Sequence, residues 1–163
     1  MNVIVNSTPL ISLAVINQLD LLSKIFDDII VPSAVYNEVV VNGKGKAGYN
    51  NLSTIDWFNV VEVENTGLKQ SIMIELDEGE AEVITIAKEK SDLLVCIDEF
   101  AGRRYAKLHD LEVIGTLGIL LIAKQKGYVS ELRPLLQKLI AEDRHIGKTL
   151  CNQILFKVGE IEI

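Results

Sequence analysis

Five oxygen-bearing side chains stand where the sequence predicts either the end of a strand or the inner face of a helix. They are Asn6, Glu38, Glu80, Asp98 and Glu99. Carboxylates gathered in one place repel each other unless a positive charge lies between them, and ligands that are all oxygen suit Mg²⁺ or Mn²⁺. A cation held in this way can clamp a phosphodiester oxygen and activate water for attack on phosphorus. The residue types therefore point to phosphoryl chemistry.

Asn6 follows the apolar run Val3-Ile4-Val5, which predicts a buried strand. The polar residues after it predict the start of a helix, with Thr8 as its N-cap and Pro9 at its first position. Asn6 would then project from the carboxyl end of a strand, where open α/β sheets bind their ligands. The plainer interpretation is that its side chain only hydrogen-bonds the turn.

Glu80 is predicted to lie on the buried face of a helix over residues 78–90. Apolar residues follow it at the spacing of one helix face, namely Val83, Ile84 and Ala87. The other glutamates of this helix are predicted to face away from the core: Glu78, Glu82 and Glu89. The spacing from Asp77 to Glu80 also fits a capping box, so a purely structural role for Glu80 stays open.

Glu38 repeats this pattern on a helix predicted from Ser33 to about Val41. It is predicted to share a face with Ala34, Val35 and Val41. A carboxylate on an apolar face must be paired, metal-bound or at the rim of the core. The alternative is a rim glutamate whose carboxylate reaches solvent.

Asp98 and Glu99 directly follow the strand predicted over residues 93–97, at the same kind of junction as Asn6. Either acid could instead be a helix N-cap or a first-turn acid with no further role. Arg103, Arg104 and Lys107 follow on the next helix. Arg104 borders its predicted buried stripe and is the better phosphate-binding candidate, whereas Arg103 and Lys107 are predicted to point away from that stripe, which consists of Ala101, Tyr105 and Leu108.

The elements that must position these side chains are strands alternating with helices. Strands are predicted at residues 3–5, 28–31, 93–97 and 112–114, with an extra one within 57–63, and helices at 33–41, 68–75, 78–90, 100–108 and 148–157. This alternation predicts an α/β fold with a central parallel sheet covered on both faces. The chain shows no repeat and no linker, so one domain over residues 1–163 is expected.

Composition limits the possible functions. The net charge of −7 argues against bulk electrostatic binding of nucleic acid but leaves room for an acidic site with a basic rim. Cys96 and Cys151 lack the spacing of a disulfide or metal motif and are expected to be buried thiols. Without an apolar run of about 20 residues or a secretory signal, the protein is expected to be soluble and cytoplasmic, with no membrane partner.

The chain resembles the PIN domains, and specifically the branch related to VapC toxins of toxin–antitoxin pairs. The matching segments occur in the family's order over nearly the whole chain: Val5-Asn6-Ser7-Thr8-Pro9-Leu10-Ile11, Val31-Pro32 with Glu38, Leu76-Asp77-Glu78-Gly79-Glu80-Ala81, Ile97-Asp98-Glu99 with Arg103 and Arg104, and Gly115-Thr116-Leu117-Gly118. The resemblance implies a three-layer α/β/α sandwich, here with extra C-terminal helices, and a ribonuclease that depends on Mg²⁺ or Mn²⁺.

The resemblance also implies a site. Asn6, Glu38, Glu80 and Asp98 fall where PIN domains carry four acidic residues that bind metal and catalyse, and Glu99 competes with Asp98 for the last position. Ser7 or Thr8 falls at the family's hydroxyl beside the first acid, and the arginines Arg103 and Arg104 would contact substrate. Asn6 departs from the aspartate of most active members, which removes one charge from the metal site. The implied partners are RNA, single-stranded or structured, and an antitoxin.

Parts of the sequence also resemble the motifs of other functions. Gly43-Lys44-Gly45-Lys46-Ala47-Gly48 spells a dinucleotide-binding motif, but it follows a predicted helix and not a strand. A phospho-receiver domain needs paired acids where Asn6-Ser7 stands. The main rival is a catalytically weak PIN-like module that mainly binds a protein partner or RNA. Apolar helices near both ends could supply its binding surface, for a homodimer or an antitoxin, and an apolar patch is predicted at Leu150, Ile154, Leu155 and Val158.

Overall fold

Five short strands form a single sheet in the computed structural model, which describes all residues from 1 to 163. Every neighbouring pair is parallel, and the order across the sheet is β3-β2-β1-β4-β5. The strands are β1 (Asn2–Val5), β2 (Asp28–Pro32), β3 (Asn59–Val61), β4 (Leu93–Cys96) and β5 (Val113–Ile114). The predicted α/β fold with a central parallel sheet is confirmed, and the extra strand within 57–63 lies at one edge.

Helices flank this sheet on both faces, which gives the predicted three-layer architecture. They are α1 (Ser7–Val15), α2 (Asp20–Ile25), α3 (Ser33–Tyr36), a π-helix (Asn37–Val41), α4 (Tyr49–Leu52), α5 (Thr66–Ile72), α6 (Glu78–Glu89), α7 (Phe100–Leu108), α8 (Thr116–Gln125), α9 (Arg133–Ala141) and α10 (Lys148–Lys157). No helix combines the length and the apolar character that a membrane span requires.

The central strand β1 explains why the sequence begins with an apolar run. Val3, Ile4 and Val5 are fully buried because helices cover both faces of the sheet at this point. The chain builds β2 and β3 on one side of β1 and then places β4 and β5 on the other side. The strand order therefore reverses between β1 and β4, and the crevice at their carboxyl ends is where such sheets bind ligands.

The first helix starts differently from the prediction. Helix α1 begins at Ser7 with Asn6 at the N-cap position, and Pro9 is its third residue. The prediction of Thr8 as N-cap is wrong, because the Thr8 hydroxyl donates instead to the carboxylate of Glu99, far away in the chain. Pro9 is tolerated there because N–H groups of the first helical turn have no partner within the helix.

The predicted helix from Ser33 to Val41 is α-helical only in its first half. Its second half is the π-helix, in which the Asn42 N–H donates to the Asn37 carbonyl over 2.7 Å. Glu38 and Val41 are exposed, whereas Val35 and Val39 form the buried side of this segment. The prediction that Glu38 and Val41 lie on an apolar face is wrong: Glu38 lies beside that buried side, and the wider turn moves Val41 from its α-helical position.

One apolar core connects residues from Val3 to Leu155, and both cysteines lie in it as the predicted buried free thiols. Leu155 is fully buried, so the predicted apolar patch near the C-terminus is partly core. The tail after α10 is fastened by Glu160. Its carboxylate accepts the Leu132 and Arg133 N–H groups, each over 2.8 Å, and lies 2.9 Å from the Lys124 ammonium.

Candidate functional site

Asn6 lies at the crevice between β1 and β4 and is almost completely buried. Its N–H donates to the Cys96 carbonyl over 3.0 Å, which ties the ends of the two strands together. The first turn of α6 approaches it closely, since a Cβ added to Gly79 would lie 3.2 Å from Asn6 Oδ1. A glycine at position 79 therefore lets the helix that carries Glu80 reach Asn6.

Glu80 is 6% exposed, so its predicted core-facing position is confirmed. The capping box forms as well. The Glu80 N–H donates to Asp77 Oδ1 over 2.8 Å, and the Asp77 N–H donates back to Glu80 Oε2 over 3.2 Å. The second carboxylate oxygen faces α7, where a Cβ on Gly102 would lie 2.9 Å from Glu80 Oε1. Glu80 thus caps its helix with one oxygen and presents the other to the crevice.

Asp98 leaves the end of β4 and is held by the start of α8. The Thr116 N–H donates to Asp98 Oδ1 over 2.7 Å, and the Thr116 hydroxyl donates to Oδ2 over 2.6 Å. Gly115 makes room for this pair, because a Cβ there would lie 2.8 Å from Asp98 Oδ1. Helix α8 also directs the positive end of its dipole at the carboxylate.

Glu99 and Glu38 lie on either side of the start of α1. Glu99 accepts from the Thr8 hydroxyl, and Glu38 Oε2 accepts from the Ser7 hydroxyl over 2.7 Å. Both glutamates are exposed, so Glu38 is the rim glutamate of the alternative interpretation. Two adjacent hydroxyls therefore connect acids from the π-helix and from the end of β4.

The electrostatics of the site are unfavourable for its two less exposed acids. Burial raises the pKa of Glu80, and the negative charges of Asp77 and Glu99 raise it further, against the hydrogen bond from the Asp77 N–H. Burial also raises the pKa of Asp98, with a contribution from Glu99, although Thr116 and Arg103 act in the opposite direction. No lysine, arginine or histidine forms an ion pair with Glu38, Glu80, Asp98 or Glu99.

The two arginines of α7 exchange the positions predicted for them. Arg103 turns inward and donates from Nη1 to the Ile97 carbonyl over 2.9 Å, whereas Arg104 is exposed. The predicted buried stripe is also wrong, because α7 buries Gly102 and Ala106 and leaves Ala101 and Leu108 exposed. Small residues face the core here because the helix must approach Glu80 closely.

Two residues to which the sequence assigned no role in the site contribute to it, Glu82 and Thr116. Glu82 was predicted to face away from the core, but it is 5% exposed, and its carboxylate accepts the Ala34 N–H over 3.1 Å. Lys69 lies 3.3 Å from the same carboxylate, so Glu82 joins α6 to the helix that leads to Glu38. Thr116 had a detectable signal, since it opens a helix directly after a strand, as Ser7 does.

The donor set fits a hard divalent cation in its chemistry, since every candidate offers oxygen. Its arrangement is more open, because no three acidic, histidine or cysteine side chains are gathered closely enough to hold a metal ion. Each carboxylate is turned onto a hydroxyl or an N–H group. The structure therefore brings the predicted residues to one edge of the sheet without closing them around a point.

The glycine-rich motif at residues 43–48 lies between the π-helix and α4. It does not follow a strand, in agreement with the prediction that it is not a dinucleotide-binding motif.

A family model described as "DUF3368: PIN domain" matches residues 2–160. No curated protein and no solved structure matches the chain.

Proposed function

Because the chain belongs to the PIN-domain family, we propose that it is an endoribonuclease that hydrolyses phosphodiester bonds with Mg²⁺ or Mn²⁺. PIN domains are in general nucleases, and the proposal adds the substrate and the metal. The observation that carries it is the pair Glu80 and Asp98. Both acids lie at the crevice between β1 and β4, where burial raises their pKa, and neither forms an ion pair within the chain. Acids at a cleft whose pKa is raised by burial and by neighbouring negative charge are candidates for functional groups.

We assign metal binding to Glu80, Asp98, Glu38 and the amide oxygen of Asn6, with Glu99 as the alternative to Asp98. A bound Mg²⁺ or Mn²⁺ would neutralise these carboxylates and polarise the phosphate that is cleaved. Thr116 keeps Asp98 oriented through two hydrogen bonds. Ser7 and Thr8 hold the two exposed glutamates near the crevice and become free to contact substrate when those glutamates turn to a cation.

Asn6 distinguishes this site from one with four acids. A neutral amide offers a carbonyl oxygen without adding to the repulsion among the carboxylates. We therefore propose weaker cation binding than an aspartate would give. The same departure favours the second candidate function, a catalytically weak module that binds RNA or protein.

The direct test is cleavage of end-labelled single-stranded RNAs of varied sequence, with Mn²⁺, Mg²⁺ or a chelator. Wild-type protein should cleave only with a metal, and the Asp98→Asn and Glu80→Gln variant should lose more than about 100-fold of the rate, since even outer partners of a metal contribute 10–100-fold. Asn6→Asp should raise the rate or tighten metal binding. Glu142→Gln, at an exposed acid outside the crevice, is the control. Cleavage that survives the double substitution would defeat the enzyme proposal.

In a cell, we propose that the protein is the toxin of a toxin–antitoxin pair and acts on RNA in the cytoplasm as a homodimer. The support is the likeness of its motifs to VapC-like toxins, together with exposed apolar side chains such as Leu150 and Phe156 on α10. We also propose that the whole chain acts as one PIN unit, because the apolar core runs from the first strand to α10.

A further inference from the structure

The outer face of α7 is unusual for a surface helix. Phe100 is 81% exposed and Leu108 is 70% exposed, although burying such a side chain is typically worth about 1.5–3 kcal/mol. With Arg103, Arg104 and Lys107 they line a shallow depression of about 330 Å³. The helix leaves these side chains outside because its small residues, Gly102 and Ala106, form the contact with the core.

The charge of this face differs from that of the chain. Helix α7 has three basic residues and no acidic one, within a protein of net charge −7. Arg104 and Lys107 form no ion pair, so their charges are free to meet an anion. Phe100, Arg104 and Lys107 lie on one side of the helix, since they are spaced by four and three residues. An aromatic ring followed along one helix face by two free cations suits a base and its neighbouring phosphates.

The face is also continuous with the crevice. Phe100 directly follows Glu99, which is bonded to Thr8 at the start of α1. A strand lying along α7 would therefore run onto the acids of the site.

We propose that Phe100, Arg104 and Lys107 form a subsite for single-stranded RNA, in which Phe100 stacks on one base and the two cations bind the adjacent phosphates. The inference rests on the proposed function and names where its substrate binds. Leu108 completes the apolar floor of the subsite. Readout of the base is by stacking, so the subsite accepts any base.

The test measures binding separately from cleavage. A fluorescein-labelled single-stranded RNA of about ten nucleotides is titrated with full-length protein in chelator, and anisotropy gives the Kd. Phe100→Ala should weaken binding about 5- to 150-fold, the range for loss of one stacked base. Phe100→Leu should weaken it similarly, because it keeps apolar surface without the ring, and Phe100→Trp should retain wild-type affinity. Tyr128→Ala is the control, since Tyr128 is also an exposed aromatic (45%), has Lys126 two residues before it and lies outside α7 and α10.

The cations are tested through salt. Arg104→Ala with Lys107→Ala should reduce the slope of log Kd against log salt by about 1.4, since each single-strand phosphate contact contributes about 0.7. Unchanged affinity in all α7 variants, or no RNA binding by wild-type protein, would overturn the subsite and leave this face to a protein partner. Binding that depends on Phe100 without any metal-dependent cleavage would support the subsite and remove the nuclease proposal alone.

Discussion

The carboxylate of Glu160 and those of Glu80 and Asp98 lie in surroundings that shift their pKa values in opposite directions. At the C-terminal tail, burial alone would raise the pKa of Glu160, but the Leu132 and Arg133 N–H groups and the Lys124 ammonium hold it below its usual range. At the crevice, burial and neighbouring negative charges raise the pKa of both Glu80 and Asp98. One carboxylate has the positive partners that it needs, whereas the other two do not.

This difference in charge compensation distinguishes a structural carboxylate from candidate functional ones. Glu160 fastens the tail to the start of α9, where no side chain of the helix itself provides a cap. Its charge is compensated by groups of the chain itself, so Glu160 needs no cation from solution. The crevice acids are compensated only by neutral donors and, at Asp98, by the nearby charge of Arg103, which forms no ion pair with it. A cation from solution would supply what Glu160 obtains from Lys124.

The largest expected effect is stabilisation by metal. At a Mn²⁺ concentration of about 100 times Kd, the folded state gains about 2.7 kcal/mol, which raises Tm by roughly 5–10 °C in a chain of this length. Calorimetric melting with and without Mn²⁺ measures it. The Glu80→Gln and Asp98→Asn variant should show little or no shift, whereas Glu160→Gln should keep the whole shift. An equal shift in all three proteins would mean that Mn²⁺ binds elsewhere.

The second largest expected effect is the loss of stability when the contacts of Glu160, which hold the tail after α10, are removed. Glu160→Ala removes acceptors from two N–H groups and a partner from Lys124, and should cost about 2 kcal/mol, as hydrogen bonds to charged groups do. Urea unfolding at neutral pH gives the difference, with Glu142→Ala as an exposed control.

This loss should depend on pH. Because the folded protein lowers the pKa of Glu160, the wild-type advantage is complete above the unfolded value of about 4.3 and disappears as pH falls through the folded value. An advantage that grew toward acid pH would contradict the assigned contacts.

A third, smaller effect concerns the space beside Glu80. Gly102→Ala places a methyl group 2.9 Å from Glu80 Oε1 and 3.0 Å from Ile97 Cγ2, so the flexible carboxylate must shift. RNA cleavage should fall about 10-fold, because misplacement by an ångström can cost as much as 100-fold. Gly147→Ala is the matched control, as nothing lies near its added Cβ and its φ of −69° suits alanine. Equal rates for both variants would show that Glu80 need not occupy its present position.

The smallest expected effect is a gain in stability from substituting Glu80, in contrast to the loss expected at Glu160. Glu80→Gln keeps an acceptor for the capping box but removes an ionised group whose pKa is raised, so it should stabilise the metal-free protein. The gain is absent below the unfolded pKa and complete above the folded one. An increase in Tm of about 1–2 °C at pH 8 is expected, which corresponds to roughly 0.5 kcal/mol. Destabilisation by this variant would place Glu80 with the structural acids.

The sequence predicted the sheet and the buried position of Glu80 because both follow from regular spacing. It failed at Glu38, because the buried side of this segment is formed by Val35 and Val39 and leaves Glu38 outside. It failed again at Glu82, because α6 is buried from Gly79 through Ala87 and its supposed outer side meets Ala34. Periodicity detects one buried face and cannot detect a helix covered on several sides.

The prediction for α7 failed for a different reason. Apolar size favoured Leu108 as a core residue, but the distance between α7 and Glu80 leaves room only for Gly102. Because α7 packs closely against Glu80 through Gly102, its larger apolar residues Phe100 and Leu108 lie on the exposed side of the helix. The hydrogen bonds of Thr8 and Thr116 were also beyond prediction, because they join residues that only the folded sheet brings together.

The bond between Thr8 and Glu99 spans 91 positions of the chain. Strand β1 is therefore synthesised long before its neighbour β4, and Asp98 must wait further for the hydroxyl of Thr116. A nascent chain that ends before Thr116 lacks part of the crevice, whatever its first strands have already formed. The ribonuclease proposed above would thus gain its activity only after Thr116 has been added to the growing chain.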